Sequence, residues 1–424
     1  MVGSRLRRLR QTRGLTQREL GEPRYTHAYV STIEAGRRRP SQEALEHFAS
    51  KLGVEVDELI TGRPPGFETQ LRLRLQDARV AISDGRFEQA ERDLAQIARE
   101  AKRHRLPRLE AKTEEIRGLW LQRTGRPEDA LERYQRAEDL LRDEPPTARA
   151  DAVDGKATCF AALGDVRYAI FLLESALDEI DRAGFKDPDA LVRLHSALVY
   201  WYLDLGLIRN AAESAAVLEP LAPRIDDPER VAQMHMNVAR QYLSDGRVEN
   251  ATASLQRAED AYRGLGLQAE RGSAHLARGF VLLRQGDLED ARGELEKART
   301  IFERTGNTKN LTRTLNELAR LARLEGDVPG ARALLERSIA LLGTSDDPEL
   351  AYAHLELGRV LADADPSRAE KHLRVAVEIY ERTEQAIGLA VSYRALGDVL
   401  RAGGDDTAGS EAYRTGILAV EPLL

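Results

Sequence analysis

The chain has 424 residues, a formal net charge of −7, 31% charged residues and only 5% aromatic residues. That length allows two or more domains, and the richness in Ala, Leu, Arg and Glu favours helix. No stretch approaches the roughly 18 apolar residues of a membrane span. The N-terminus is basic but lacks the apolar segment of a secretory leader. Cys159 is the single cysteine, which excludes a disulfide framework and a cysteine-rich metal site and reads as a small buried residue in a reduced cytoplasm.

Charge is unevenly placed. Positions 1–40 carry ten arginines and three glutamates, a local net of +7, so the remainder is strongly acidic. A basic head on an acidic body is the pattern expected when only the head meets a polyanion.

The head reads as five short helices. Leu6, Leu9 and Arg10 follow helical spacing from Ser4 to Thr12, and Gly14 stops that helix. Thr16-Gln17-Arg18-Glu19 is a capping box, with Leu20 facing inward. Pro23 forces a turn. Thr26 caps a third helix with Tyr29, Val30 and Ile33 on one side. Gly36 ends it, and three arginines and a proline follow. Pro40-Ser41 opens a fourth helix whose stripe is Leu45, Phe48, Ala49 and Leu52. Val56, Leu59 and Ile60 supply a short fifth.

The stretches "LRRLRQTRGLTQREL", "YVSTIEAGRRRPS" and "LEHFASKLGVEVDELITG" resemble a Cro/C1-type (XRE family) helix-turn-helix domain over residues 4–62. The connection "GEPRYTHA" is about one residue shorter than the family pattern and lacks its glycine. The resemblance implies that the third helix lies in the major groove of double-stranded DNA. It puts base and phosphate contacts at His27, Ala28, Ser31 and Thr32, and a backbone phosphate beside Gln17 at the start of the second helix. Arg37, Arg38 and Arg39 leave the third helix towards the flanking phosphates, where neutralisation releases counterions.

Residues 63–66, "RPPG", read as a stiff linker. Beyond it one pattern recurs: GRFEQA at Gly85, GRPEDA at Gly125, GDVRYA at Gly164, GLIRNA at Gly206, GRVENA at Gly246, GDLEDA at Gly286 and GDVPGA at Gly326. These glycines are spaced 40, 39, 42, 40, 40 and 40 residues apart. ADPSRA at Ala364 and the region after Gly404 are degenerate copies. A small residue precedes the glycine by seven positions in most units (Gly118, Ala157, Ala239, Gly279, Ala319), and Gly358 and Gly397 fill that place in the last two. Small residues there let paired helices approach closely.

This helix–glycine turn–helix unit resembles the tetratricopeptide repeat with longer inter-repeat turns. The predicted fold class is therefore all-α: a five-helix Cro/C1-type domain at 1–62, a linker at 63–66, and a tetratricopeptide-repeat α-solenoid of about nine helix pairs at 67–424. In that family the first helix of each pair lines a concave face, at positions 13, 10, 9 and 6 before the glycine. In the central and later repeats this selects Arg193, Ser196, Tyr200, Gln233, Asn237, Arg240, Phe280, Arg313, Asn316, Arg320 and Arg359. Such a set suits an extended peptide: amides bond its backbone in both directions, arginines fork onto a carboxylate, and aromatic faces stack.

His195, His235, His275 and His354 share one column of the repeat. Neighbouring repeats would hold them too far apart for shared metal ligation near 2 Å, and the column is where the family places a packing aromatic, so they read as structural. "GLGLQAERG" at Gly264 lacks the GxGxxG spacing and a preceding strand. No P-loop, HExxH or GxSxG occurs, so no enzyme, cofactor or metal site is expected.

The combination is similar to peptide-responsive quorum-sensing regulators of Gram-positive bacteria. It implies a cytoplasmic, sequence-specific transcriptional regulator whose repeat groove senses a short peptide or other small ligand. A homodimer is expected, because one such head covers half a site. The alternatives are a nucleoid-tethered interaction scaffold, or a phage or defence switch that binds a partner protein.

Overall fold

The computed structural model describes residues 2–345, 347–383 and 385–421, and they form helices joined by turns, with no strand among them. The head contains α1 (Val2–Thr12), α2 (Gln17–Gly21), α3 (His27–Glu34), α4 (Gln42–Leu52) and α5 (Val56–Thr61). Its core is Leu6, Leu20, Val30, Ile33, Phe48, Leu52 and Leu59, each with at most 1% of its surface exposed. Ile60 instead turns outward. The helix starts follow from the caps. Thr16 and Glu19 form both arms of the capping box on α2, Thr26 accepts from the Tyr29 amide on α3, and Ser41 accepts from Ala44 on α4; each satisfies amides that the first turn leaves without a partner. A Cβ on Gly3 would stand 1.9 Å from the Ile33 carbonyl oxygen, so α1 and α3 meet backbone to backbone.

The remaining helices follow one another as helix–turn–helix units. They are α6 (Phe67–Ser83) and α7 (Phe87–Arg103), α8 (Pro107–Arg123) and α9 (Pro127–Leu140), α10 (Ala150–Ala162) and α11 (Val166–Arg182), α12 (Pro188–Asp204) and α13 (Ile208–Leu221), and α14 (Pro228–Ser244) and α15 (Val248–Gly264). Then come α16 (Gln268–Gln285) and α17 (Leu288–Thr305), α18 (Thr308–Leu324) and α19 (Val328–Leu342), α20 (Pro348–Leu361) and α21 (Pro366–Arg382), and α22 (Ala386–Ala402) and α23 (Asp406–Val420). The chain is all-α, a helix-turn-helix domain followed by a tetratricopeptide-repeat α-solenoid.

The repeat motif has a direct physical reading. All seven glycines of the GxxxxA units have φ between 72° and 97°, the left-handed turn that a side chain resists. The alanine five residues later (Ala90, Ala130, Ala169, Ala211, Ala251, Ala291, Ala331) is fully buried each time. Where the small residue seven before the turn is glycine, a Cβ would stand 2.6 Å from the Tyr134 ring at Gly118, from Leu295 at Gly279 and from Leu373 at Gly358. The periodic small residues therefore set the helix–helix distance. Cys159 is buried.

The chain divides into two compact units, residues 1–79 with 88–145, and residues 80–87 with 146–424. In the first, Arg63 of the linker donates to the His104 carbonyl oxygen (2.6 Å) and pairs with Glu68 (2.6 Å), and the Phe67 ring packs on His104 at 4.6 Å. In the second, the turn after α6 is inserted among later repeats. The Ala269 amide at the start of α16 donates to Ser83 Oγ (3.0 Å), Ser83 donates to Glu270, and Val80 packs beside Tyr262 and Leu267. Ser83 thus caps a helix whose own N-cap residue, Leu267, offers no side-chain acceptor.

Candidate DNA interface and ligand groove

α3 is held by its buried side. Val30 and Ile33 enter the core, Tyr29 is half-buried, and His27, Ala28 and Ser31 are exposed at its start and outer side. Thr32 is half-buried, with its hydroxyl donating to the Tyr29 carbonyl oxygen (2.8 Å). Arg37, Arg38 and Arg39 are exposed, and none forms an ion pair within the described residues; the Arg38 guanidinium lies 4.9 Å from the centre of the Tyr29 ring.

Gln17 opens α2, and its Nε2 donates to Glu34 Oε2 (2.9 Å). Glu34 also takes a forked pair from Arg10 (2.6 and 3.0 Å), and Arg10 donates further to the Leu15 carbonyl oxygen (2.7 Å). Burial pushes the Glu34 carboxyl up, but the bonds from Arg10 and Gln17 outweigh it and leave the pKa below its ordinary value. Arg10, Gln17 and Glu34 thus clamp α1, α2 and α3 together. Sequence spacing marked Arg10 as part of a helical stripe and gave no sign of its partner 24 residues on.

In the second unit the first helices of successive repeats touch in a row: α10 on α12, α12 on α14, α16 on α18, and α18 on α20. Several inward positions serve that packing. Asn237 is buried, and its Nδ2 donates to the Ser196 carbonyl oxygen (2.9 Å) and Oγ (3.1 Å), joining α14 to α12. Asn316 is also buried, and its Nδ2 donates to the Glu349 carbonyl oxygen (3.1 Å) and Oε2 (3.3 Å), joining α18 to α20. Gln233 accepts from the Tyr262 hydroxyl at 3.3 Å, so it addresses the second helix of its own repeat. Phe280 is half-buried with the Arg284 guanidinium 5.9 Å from its ring centre.

The arginines differ from one another. Arg193 pairs with Asp154 (2.8 Å) and Asp151 (3.3 Å). Arg313 pairs with Glu349 (3.0 Å), and Arg359 with Glu356 (2.5 Å). Arg320 stands 3.6 Å from Glu317. Arg240 has no carboxylate within ion-pair distance among the described residues, and its guanidinium lies over the Tyr200 ring at 4.3 Å. The Tyr200 ring in turn meets Trp201 edge-on at 4.5 Å. Arg240 is exposed, and the protein around it lowers its pKa, with Arg313 adding to the effect and Tyr200 and the Asp204 carboxylate opposing it.

Four groups with shifted pKa values join this row without having been among the expected site residues. Asp154 is pushed up by burial, against the pull of Arg193. Glu317 is pushed up by burial, drawn down by Arg320, and pushed up again by Glu349 and Glu356, reaching about 7. Glu349 is pushed up by burial against Arg313, and the Tyr352 hydroxyl is pushed up by burial and by Glu317. Glu317 stands nine residues before Gly326, one of the four inward positions, so the repeat spacing held its signal.

The histidine column separates into different environments. Burial lowers the pKa of His195 and of His235. His275 is buried between Glu294 (2.7 Å) and Glu259 (3.6 Å). His354 shares an Nδ1···Nδ1 hydrogen bond of 2.9 Å with His372, one ring donating and the other accepting. Among the described residues no group of three or more His, Cys, Asp or Glu is arranged to hold a metal ion. No helix among them is long and apolar enough to cross a membrane.

Comparison with known proteins gives each part a relative. Residues 2–60 match the family model of a helix-turn-helix domain, and residues 270–344 and 311–382 match that of the tetratricopeptide repeat. An uncharacterised helix-turn-helix-type transcriptional regulator, y4dJ of Sinorhizobium fredii, is 42% identical over 62 residues, 14% of this chain and 80% of that protein. In overall fold the chain is similar to the apo form of the quorum sensor NprR from B. thuringiensis, with a TM-score of 0.55 at 13% identity over 84% of this chain and 99% of the other. It is also similar to a Rap protein complexed with Competence and Sporulation Factor, with a TM-score of 0.52 at 16% identity over 80% and 99% of the two chains. Through its head, the chain belongs to the helix-turn-helix transcriptional regulators of the XRE type, and it carries a tetratricopeptide-repeat domain behind that head.

Proposed function

We propose that this protein is a cytoplasmic, sequence-specific, DNA-binding regulator whose repeat groove senses a short peptide. One observation carries the reading. The same chain combines a clamped α3 flanked by three unpaired, exposed arginines with a row of inward helices on which Arg240, over the Tyr200 ring, forms no ion pair among the described residues. The first arrangement suits a polyanion, and the second suits a small ligand with an acceptor group. The fold it shares with a quorum sensor, and with a protein complexed with Competence and Sporulation Factor, supports the ligand half.

The mechanism is a population shift. A ligand that prefers one packing of the repeats changes the balance of states, and DNA affinity follows by linkage. We propose a homodimer, because one helix-turn-helix head covers half a site. In the complex His27, Ala28, Ser31 and Thr32 meet the major groove while Gln17 and Arg37–Arg39 face phosphates.

The test is fluorescence anisotropy of the pure protein on the DNA upstream of its own gene, with salt titration, random competitor DNA, and small-molecule extract of the host culture. Competitor-resistant, salt-sensitive binding that shifts with extract is the expected result. Binding erased equally by any competitor contradicts sequence-specific regulation at that site. Specific binding indifferent to extract contradicts the small-ligand half.

A further inference from the structure

Two kinds of unfinished hydrogen bonding stand in the same row of inward helices. On α14, Arg240 forms no ion pair among the described residues, and its guanidinium lies 4.3 Å from the centre of the Tyr200 ring. On α18, two neighbouring residues offer buried acceptors to no donor. Glu317 Oε2 has no hydrogen-bond partner, its nearest cation, Arg320 Nη1, standing off at 3.6 Å; Asn316 Oδ1 likewise has none, although its Nδ2 is fully engaged. Buried polar atoms of folded proteins are nearly always hydrogen-bonded, and each exception calls for an explanation.

The surrounding charges sharpen the contrast. Arg313 acts on both Arg240 and Glu317 and is paired with Glu349. On the Glu317 side stand Glu349, Glu356 and Tyr352 of α20, with Glu356 taken by Arg323 (3.2 Å) and Arg359 (2.5 Å). Asp204 is the anion that acts on Arg240 from beyond ion-pair distance, and Arg320 and Arg313 are the cations that act on Glu317, so each end keeps hydrogen-bonding capacity that its neighbours leave unused.

Resting on the peptide-groove reading above, we propose that the groove is polar along its length. Arg240 takes a carboxylate of the ligand, and Glu317 with Asn316 takes a cationic N–H donor, so the ligand is a dipolar peptide bound in one direction. Contact with the Tyr200 ring restrains the guanidinium, which can receive a carboxylate in a forked approach. The Glu317 carboxyl titrates at about 7 in the absence of ligand, and a cation beside it favours its ionised form. Binding therefore releases a proton near neutral pH and tightens as pH rises.

The experiment is equilibrium dialysis of the full-length protein against four end-blocked heptapeptide libraries, read by mass spectrometry. Each library has uncharged residues at all but two variable positions. Those positions hold Glu and Arg, Gln and Arg, Glu and Gln, or Gln and Gln. The library with both charges is expected to be retained at least about tenfold better than the neutral one, the usual scale of a hydrogen bond to a charged group. On the Glu317→Gln protein its retention falls to that of the Glu-only library, and on Arg240→Met to that of the Arg-only library. Arg240→Lys, which keeps the charge without the fork, falls between. Circular dichroism and DNA binding check that each variant is folded.

Retention of libraries carrying Arg is expected to rise about tenfold from pH 6 to pH 8, and to lose that rise in Glu317→Gln. Equal retention of all four libraries overturns the polarity and leaves the peptide reading intact. Retention of none, with DNA binding preserved, overturns the peptide reading and the polarity with it.

Discussion

The head and the repeat groove are both rich in arginine, but they treat it in opposite ways. At the end of α3, Arg37, Arg38 and Arg39 stand exposed without an ion pair among the described residues. In the groove, Arg193, Arg313, Arg320 and Arg359 each have a carboxylate within 4 Å, and Arg240 alone of the expected groove arginines does not. A surface for a polyanion gains by leaving cations free, because each phosphate it neutralises releases counterions. A groove for a small ligand gains by pairing its charges internally, so that few groups discriminate among ligands. Counting arginines does not separate these designs; partners do.

The strongest way to break the comparison is to remove the free cations. Arg37→Ala, Arg38→Ala and Arg39→Ala together should weaken binding to every DNA sequence, specific and random alike. Anisotropy over a salt series should show the slope of log K against log salt reduced by up to about 2.7, equivalent to a few hundred-fold at ~0.1 M salt. An unchanged slope would make the three arginines a solvated loop.

The head also contains a paired arginine, and it should behave differently. Arg10→Met leaves Glu34, whose side chain is 3% exposed, with Gln17 alone. Breaking a buried pair this way costs about 3 kcal/mol, and denaturant unfolding followed with DNA binding should show it. The double variant Arg10→Met/Glu34→Leu should recover most of the loss, since a buried pair replaced by apolar residues is often near neutral. No such recovery is available at Arg37–Arg39, where nothing is left unpaired.

The two regions were also unequally legible in the sequence. The capping residues Thr16, Thr26 and Ser41, the turn glycines and the buried alanines are local signals, and each does in the structure what its chemistry requires. The periodicity also pointed to the inward row. It could not tell which inward side chains stay open, because that depends on partners one repeat away. Asn237 and Asn316 look alike in sequence, yet Asn237 bonds back to α12 and Asn316 forward to α20. Glu317, beside arginines at helical spacing, reads as their partner; only its geometry reveals that Arg320 stays 3.6 Å from an oxygen without a hydrogen bond. The Ser83 cap on α16 spans 186 residues, and no local pattern encodes it.

A smaller effect separates packing from charge. Gly279→Ala puts a Cβ 2.6 Å from Leu295, a side chain held between α16 and α17. Overpacking of this kind costs about 1–3 kcal/mol. Hydrogen exchange should show faster opening of α16 and α17 with α1–α5 unchanged. Equal loosening of the head would mean that the two regions unfold as one cooperative system.

The smallest expected effect compares two carboxylates within the repeats. Burial pushes Glu294 up, but hydrogen bonds from His275 and Lys297 and the charge of Arg278 outweigh it and bring its pKa to about 2. Its stabilising contribution is present above the ordinary carboxylate pKa and is lost as pH falls towards 2. Glu317 has the opposite sign. With a folded pKa of about 7 against an ordinary 4.5, the folded state holds the proton more tightly than the unfolded chain does. Stability from this group therefore declines as pH rises from about 4.5 to about 7, and stays low above it. The decline is bounded by ~3 kcal/mol, and water reaching the groove brings it nearer 1 kcal/mol. Glu317→Gln removes the titration, so the variant should gain on the parent in urea midpoint at pH 8 and show no such gain at pH 5. A gain of equal size at both pH values would assign the effect to packing. Its absence at both would mean that Arg320 already neutralises Glu317, leaving no anion in the groove to meet a cationic ligand.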